Sequence, residues 1–232
     1  VVLPSKDITW TGTSDGNWDL TTSNNWKLDS DDSPALYEDN DQVAFDDSAA
    51  PFAGPVTIVG TLEPKTIIVD TETLAYTFSG GSVNGLTTLT KTGAAALTLA
   101  TSFNNSGAIA INGGSLVVGD GTTNGSIGNG PVTLAAGTSL KVSRNDTVDY
   151  SAGGNLKSIS GVGSFTLDGG AILIVNPGAG IGFDEGNSWS TLDGGVTVIG
   201  NSELRTLRNG RSAMGTGTIT LGNRQASEFV PA

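Results

Sequence analysis

The chain has 232 residues and a formal net charge of −12, from 11 basic and 23 acidic residues. This acidic balance disfavours nucleic acid and anionic membrane surfaces as partners. The absence of cysteine and histidine excludes disulfides, thiol catalysis, the usual catalytic triads and most zinc sites.

The first 50 residues hold three of the four tryptophans, Trp10, Trp18 and Trp26, together with Tyr37 and Phe45. Because the open end of a stack of strands must be covered, we interpret Trp10 and Trp26 as the core of an N-terminal cap. The DGNW motif at residues 15–18 is typical of a turn, and we expect it to present Trp18 to solvent as a platform for a sugar ring. The alternative is that Trp18 also packs inside the cap.

An acidic run follows the tryptophans and contains Asp29, Asp31, Asp32, Glu38, Asp39, Asp41, Asp46 and Asp47. Clustered carboxylates on loops are the ligands that Ca²⁺ prefers, so a bound Ca²⁺ is one interpretation. The run lacks the spacing of an EF-hand, and acidic loops are commonly only solvated. The expectation is therefore no obligatory cofactor, with Ca²⁺ kept open as an alternative.

From residue 56 onward, apolar triplets with in-out-in alternation are separated by Gly and Asn, at residues 56–58, 67–69, 76–78, 97–99, 109–111, 116–118, 132–134, 140–142, 165–167, 172–174, 196–198 and 219–221. Steps of 23–24 residues separate Ile109 from Val132, Leu116 from Leu140, Ile172 from Val196, and Val196 from Ile219. A repeat of this length with several short strands predicts a single-stranded, right-handed parallel β-helix. We expect one all-β domain, with a cap at residues 1–50 and coils at 51–232. A β-sandwich is the alternative fold, since it also has short strands and frequent turns.

The segment LTKTGAAALTLATSFNNSGAIAINGGSLVVG, at residues 89–119, resembles the autotransporter-associated β-strand repeat of secreted bacterial proteins. The tryptophan-rich start followed by NDQVAFDD is similar to the cap that precedes such repeats in large extracellular proteins of plant-degrading bacteria. The resemblance implies a β-helical segment that accompanies glycoside hydrolases, and some such segments are similar to xylan-binding modules. It does not identify the binding residues.

Two polar segments look longer than a repeat turn requires. One is RNDTVDYSAGGN, with Tyr150, and the other is FDEGNSWSTLDGG, with Trp189; both are interpreted as loops leaving the coils on one side of the stack. Packing against the coil wall is the alternative for each aromatic side chain. The expected ligand contacts are Trp18, Trp189, Tyr150, Asn145, Asp149 and Asn187, and no catalytic residue is assigned.

The favoured function is a non-catalytic carbohydrate-binding module for plant cell-wall polysaccharide, with xylan the expected ligand. We expect a secreted, monomeric domain that is covalently linked to a larger glycoside hydrolase and has no nucleic-acid or membrane partner. One alternative is a structural stalk or adhesin segment of a secreted or surface protein. A second is a β-helical polysaccharide lyase, for which Arg205, Arg208 and Arg211 form the densest basic patch and Glu203 adds a carboxylate.

Overall fold

A computed structural model describes residues 4–49, 54–149, 158–175, 188–206 and 217–222. It is a parallel β-solenoid of about six turns, 2% helical, which confirms the predicted fold class. The one helical element in these ranges is a 3₁₀ turn at Asp47–Ala49. No helix within the described ranges has the length and apolar character needed to cross a membrane.

The solenoid is built from three sheets, whose strands are numbered in chain order. From its C-terminal edge, the ten-stranded sheet A contains β19 (Ser188–Leu192), β16 (Ser158–Gly161), β13 (Pro131–Leu134), β11 (Ile109–Ile111), β9 (Thr88–Thr92), β7 (Thr66–Asp70), β5 (Gln42–Asp46), β1 (Asp7–Trp10), β3 (Trp26–Leu28) and β4 (Pro34–Ala35). Its pairs are parallel from β1 to β19 and antiparallel between β1, β3 and β4.

The nine-stranded sheet B contains β2 (Asn17–Trp18), β6 (Val56–Leu62), β8 (Tyr76–Gly85), β10 (Ala96–Asn105), β12 (Ser115–Val118), β14 (Ser139–Ser143), β17 (Ser164–Asp168), β20 (Val196–Val198) and β22 (Ile219–Leu221). The three-stranded sheet C contains β15 (Thr147–Asp149), β18 (Ile172–Val175) and β21 (Glu203–Thr206). Among the described strands, sheet C thus begins only at residue 147.

Over most of the stack, the predicted repeat step equals the sequence separation between paired residues of neighbouring strands. Ile109 pairs with Val132, Leu116 pairs with Leu140, and Val196 pairs with Ile219. The predicted match of Ile172 with Val196 is wrong, because Ile172 lies in sheet C and pairs with Glu203. Val196 instead pairs with Phe165, so this coil is 31 residues long.

The inward positions of successive coils form one continuous core, which is apolar except at a few polar positions such as Lys91. The in-out-in burial expected from the sequence holds for all but two of the twelve triplets. In the triplet at 172–174 the phase is opposite, since Ala171 and Leu173 are buried and Ile172 is only half-buried. In β22, Ile219 and Leu221 are 41% and 45% exposed, because β22 pairs only with β20 among the described strands.

The N-terminal cap differs from the coils in its pairing. The short antiparallel strands β3 and β4 end sheet A, and Pro34 in β4 lacks the N–H that would extend the sheet. Parallel pairing nevertheless begins before residue 51, since β1 pairs with β5 and β5 pairs with β7. The cap is therefore continuous with the first coil.

Candidate functional site

The three N-terminal tryptophans form a buried aromatic cluster. Trp10 and Trp26 are 0% and 2% exposed, and their ring centroids lie 5.0 Å apart at an edge-to-face angle of 79°. Such edge-to-face pairs contribute stability beyond the burial of apolar area. The prediction that Trp10 and Trp26 are cap core is confirmed.

Trp18 belongs to the same cluster, so its predicted exposure is wrong. It is 0% exposed, and its ring lies 5.5 Å from the rings of both Trp26 and Tyr37. The turn predicted at DGNW is present: Asp15 Oδ1 accepts hydrogen bonds from the Asn17 backbone N–H at 3.0 Å and from Asn25 Nδ2 at 2.8 Å. The chain leaves this turn as β2, whose pairing with β6 aligns Trp18 with the inward Ile58.

Carboxylates of the acidic region hold turns rather than gathering at one point. Asp47 accepts backbone hydrogen bonds from Glu72 at 2.8 Å and from Leu74 at 2.7 Å, and so ties the first coil to the next. These bonds lower the pKa of Asp47 to about 2. No group of three or more His, Cys, Asp or Glu residues in the described ranges is placed to hold a metal ion.

Asn145 lies at the corner between sheets B and C. Its side chain is exposed, and its backbone N–H donates to Asn124 Oδ1 of the preceding coil at 3.4 Å. Beside it, the Arg144 guanidinium donates to both carboxylate oxygens of Asp146, at 2.8 and 2.6 Å. The prediction of a loop around Tyr150 is partly wrong, because residues 147–149 form β15 and pair with β18.

Trp189 is placed by its backbone in β19, which corrects its interpretation as a loop residue. The pairs Ser158–Ser188 and Ser160–Thr191 flank an irregularity in register, so Trp189 and Ser190 share the position opposite Ile159. Such a bulge bends a strand and redirects its side chains. The side chains of Trp189 and Asp149 are outside the described set, and Tyr150 and Asn187 lie outside the described residues.

Two chain connections lead from sheet C to sheet A, and their first and last residues adjoin paired strand ends. Residues 150–157 join β15 to β16, and residues 176–187 join β18 to β19. Asp149 at the end of β15 pairs with Ile174, while Ser158 and Ser188 pair at the starts of β16 and β19. Both connections therefore run from sheet C to sheet A in adjacent coils, at what we call the C-to-A corner.

The topology separates the predicted site residues into three locations. By chain position, Tyr150, Asn187, Trp189 and Asp149 belong to the C-to-A corner or its borders. Asn145 lies at the other end of β15, and Trp18 lies in the cap core. No known protein family, curated protein or solved structure matches this chain.

Proposed function

We propose that this chain is a non-catalytic carbohydrate-binding module that binds a plant cell-wall polysaccharide, with xylan favoured, at the C-to-A corner. The observation that carries the proposal is the pairing of Asp149 with Ile174 and of Ser158 with Ser188. These pairs bring together the ends of the two connections that contain Tyr150 and Asn187, next to the strand that contains Trp189.

The residue types at this corner suit a sugar ligand. Tyrosine and tryptophan combine an apolar ring face, on which the C–H groups of a pyranose pack, with a polar hydrogen-bonding group. Asparagine supplies both donors and an acceptor for ring hydroxyls. All nine aromatic side chains in the described part of the chain are buried. A stacking platform is therefore sought among the remaining aromatic residues, of which Tyr150 and Trp189 also carry a polar hydrogen-bonding group.

The sequence resemblance supports the same ligand class. The segment at residues 89–119 resembles the autotransporter-associated β-strand repeat, and the solenoid fold agrees with that resemblance at the level of architecture. Similar β-helical segments accompany secreted glycoside hydrolases. We accordingly propose that this module is secreted and directs such an enzyme to its polysaccharide.

Affinity electrophoresis in gels containing xylan, β-glucan, mannan or pectin tests the proposal. We expect xylan to retard the wild-type chain, and Trp189→Ala to lose retardation while its melting temperature stays unchanged. Stacking platforms contribute roughly 1–3 kcal/mol to binding. Leu86→Ala is the matched control, since Leu86 is 80% exposed on a turn between sheets B and A. New reducing ends or unsaturated products would instead indicate a hydrolase or a lyase.

A structural stem is the second candidate function. It is favoured by the uninterrupted parallel ladders of sheets A and B, which continue from the aromatic cap to β19 and β22. A repeat stack of this kind maintains its length through contacts between neighbouring coils alone. A chain that no glycan in the panel retards would favour the stem over the binding module.

A further inference from the structure

Five Asn-Gly dipeptides occur in the chain, and this dipeptide is prone to spontaneous deamidation. The backbone nitrogen of the glycine can attack the side-chain amide carbon of the asparagine, because glycine has no Cβ to crowd the approach. The dipeptides are at residues 84–85, 112–113, 124–125, 129–130 and 209–210. The last lies outside the described residues, and the other four differ in how the fold holds the reacting groups.

The reaction replaces the asparagine amide with a carboxylate. The glycine N–H loses its proton to hydroxide, and its nitrogen bonds to the asparagine Cγ, which releases the side-chain nitrogen as ammonia and leaves a five-membered succinimide. Water then opens the succinimide at either carbonyl, to give aspartate or, with the main chain rerouted through Cβ, isoaspartate. A hydrogen bond from the glycine N–H slows the first step, because it must break before the nitrogen attacks.

Two of the dipeptides are held within the sheets. Gly113 N–H donates to the carbonyl oxygen of Lys91 at 3.2 Å, so the nitrogen that would attack Asn112 is engaged. Asn84 belongs to β8, whose pairing with β10 continues through Gly85. The Oδ1 atom of Asn84 is buried as well, which shields its amide from water. Both asparagines should therefore react slowly in the folded protein.

The Asn124-Gly125 dipeptide is held by the coil that follows it. Asn145 N–H donates to Asn124 Oδ1 at 3.4 Å. The Arg144 guanidinium donates to the carbonyl oxygen of Gly125. These contacts fix the amide on one side of the attacking nitrogen and the carbonyl group on the other. Closing the succinimide ring would rotate these groups and break the contacts.

The Asn129-Gly130 dipeptide has none of these restraints. Within the described part of the chain, the side chain of Asn129 and the N–H of Gly130 have no hydrogen-bond partner, and Asn129 is exposed. Gly128 precedes Asn129, so neither neighbour in sequence has a side chain that could cover the amide. Asn129 N–H donates to the carbonyl oxygen of Asn105 at 3.0 Å, which holds the main chain and leaves the side chain free.

We propose that Asn129 is a spontaneous deamidation site, at which the folded protein acquires aspartate and isoaspartate. The proposal is independent of glycan binding. Isoaspartate adds one atom to the main chain directly before Gly130, which packs so closely on the carbonyl oxygen of Gly107 that even a Cβ would collide there. The modification therefore displaces the entry to β13 and destabilises the stack.

Peptide mapping by mass spectrometry, during incubation in mildly alkaline buffer and in urea, measures conversion at each dipeptide. In urea the four asparagines should convert at similar rates, since each is followed by glycine. In buffer Asn129 should convert about tenfold faster than Asn112, a difference of about 1.4 kcal/mol in barrier, because the Gly113 nitrogen must first leave its hydrogen bond. Asn129→Gln should abolish most of the isoaspartate that enzymatic methylation detects, and Asn112→Gln is the matched control that should leave it unchanged.

The melting temperature tests the consequence for the fold. Aged wild type should melt lower than fresh protein, whereas Asn129→Asp, which carries the same charge on an unaltered main chain, should melt as fresh wild type does. If Asn129 converts in urea but not in buffer, or if Asn84, Asn112 or Asn124 converts as fast in buffer, the proposal is wrong. If Asn129 accumulates isoaspartate and the melting temperature stays unchanged, the displacement of β13 is wrong.

Discussion

Replacing Trp18 with alanine should destabilise the fold more than most single substitutions in this chain. The indole is 0% exposed and lies 5.4–5.7 Å, between ring centroids, from Trp26, Tyr37, Phe45 and Phe78. Truncating a buried aromatic side chain to alanine costs about 3–5 kcal/mol, depending on how far the cavity collapses. With four rings fixed around the cavity, we expect the upper end, about 5 kcal/mol.

Urea titration followed by far-ultraviolet circular dichroism measures this loss, and thermal melting provides a second reading. For a chain of this size, a loss of about 5 kcal/mol lowers the melting temperature by about 10–20 °C. Leu86→Ala, at an exposed position, should change the unfolding free energy by no more than about 0.5 kcal/mol. A Trp18→Ala variant that loses less than about 1 kcal/mol but no longer binds glycan would show that Trp18 is a platform, as its turn motif suggested, and that the buried cluster is wrong.

Three other substitutions test separate contacts. Lys91 is fully buried and donates to the carbonyl oxygens of Thr92 and Gly93. Lys91→Met should therefore cost about 2 kcal/mol at neutral pH in urea titrations. Burial lowers the pKa of Lys91 below 10.5, so the native state releases this proton at a lower pH than the unfolded state does. The unfolding free energy of the wild type should therefore rise as the pH increases from that lowered pKa to 10.5, and Lys91→Met should lack this rise. The contribution of Asp47 is present above its unfolded pKa of 3.8 and is lost as pH falls through about 2. Asp47→Asn should therefore melt lower than wild type at pH 7 and equally below about pH 2. Gly130→Ala places a Cβ against the carbonyl oxygen of Gly107 and should cost about 1–3 kcal/mol of unfolding free energy in urea titrations. No loss would mean that the turn before β13 is loosely packed.

The repeat was readable from the sequence because strand alternation and coil length are both local properties. Triplets such as those starting at Ile109 and Val132 bury alternate residues, and their separation along the chain is their register in the sheet. The inward and outward positions of the ILIV segment of β18 were predicted wrongly, because four consecutive apolar residues fit either phase of a strand. Its true phase depends on pairing within sheet C, where Ile172 of β18 pairs with Glu203 of β21, 31 residues further along the chain.

The candidate site was less readable than the fold. The Asp15 turn was identified correctly, but the direction of Trp18 after that turn depends on pairing with Ile58, 40 residues further along the chain. The strand character of residues 147–149 was missed because DTVDY is short and polar, and its partner β18 is distant in sequence. Most of the two polar segments lies outside the described residues, at 150–157 and 176–187, so the prediction that they leave the coils on one side of the stack stays a prediction.

Nuclear magnetic resonance titration of the ¹⁵N-labelled chain with xylohexaose tests the account most directly, because it locates the ligand residue by residue. The account predicts that amide shifts concentrate at the borders of the C-to-A corner, including Asp149 and Ser188. Amides around the buried Trp18 should remain unchanged. Shifts confined to the cap, or to the sheet B face around Thr98, would contradict the proposed site, and the absence of any shift would contradict the proposed function.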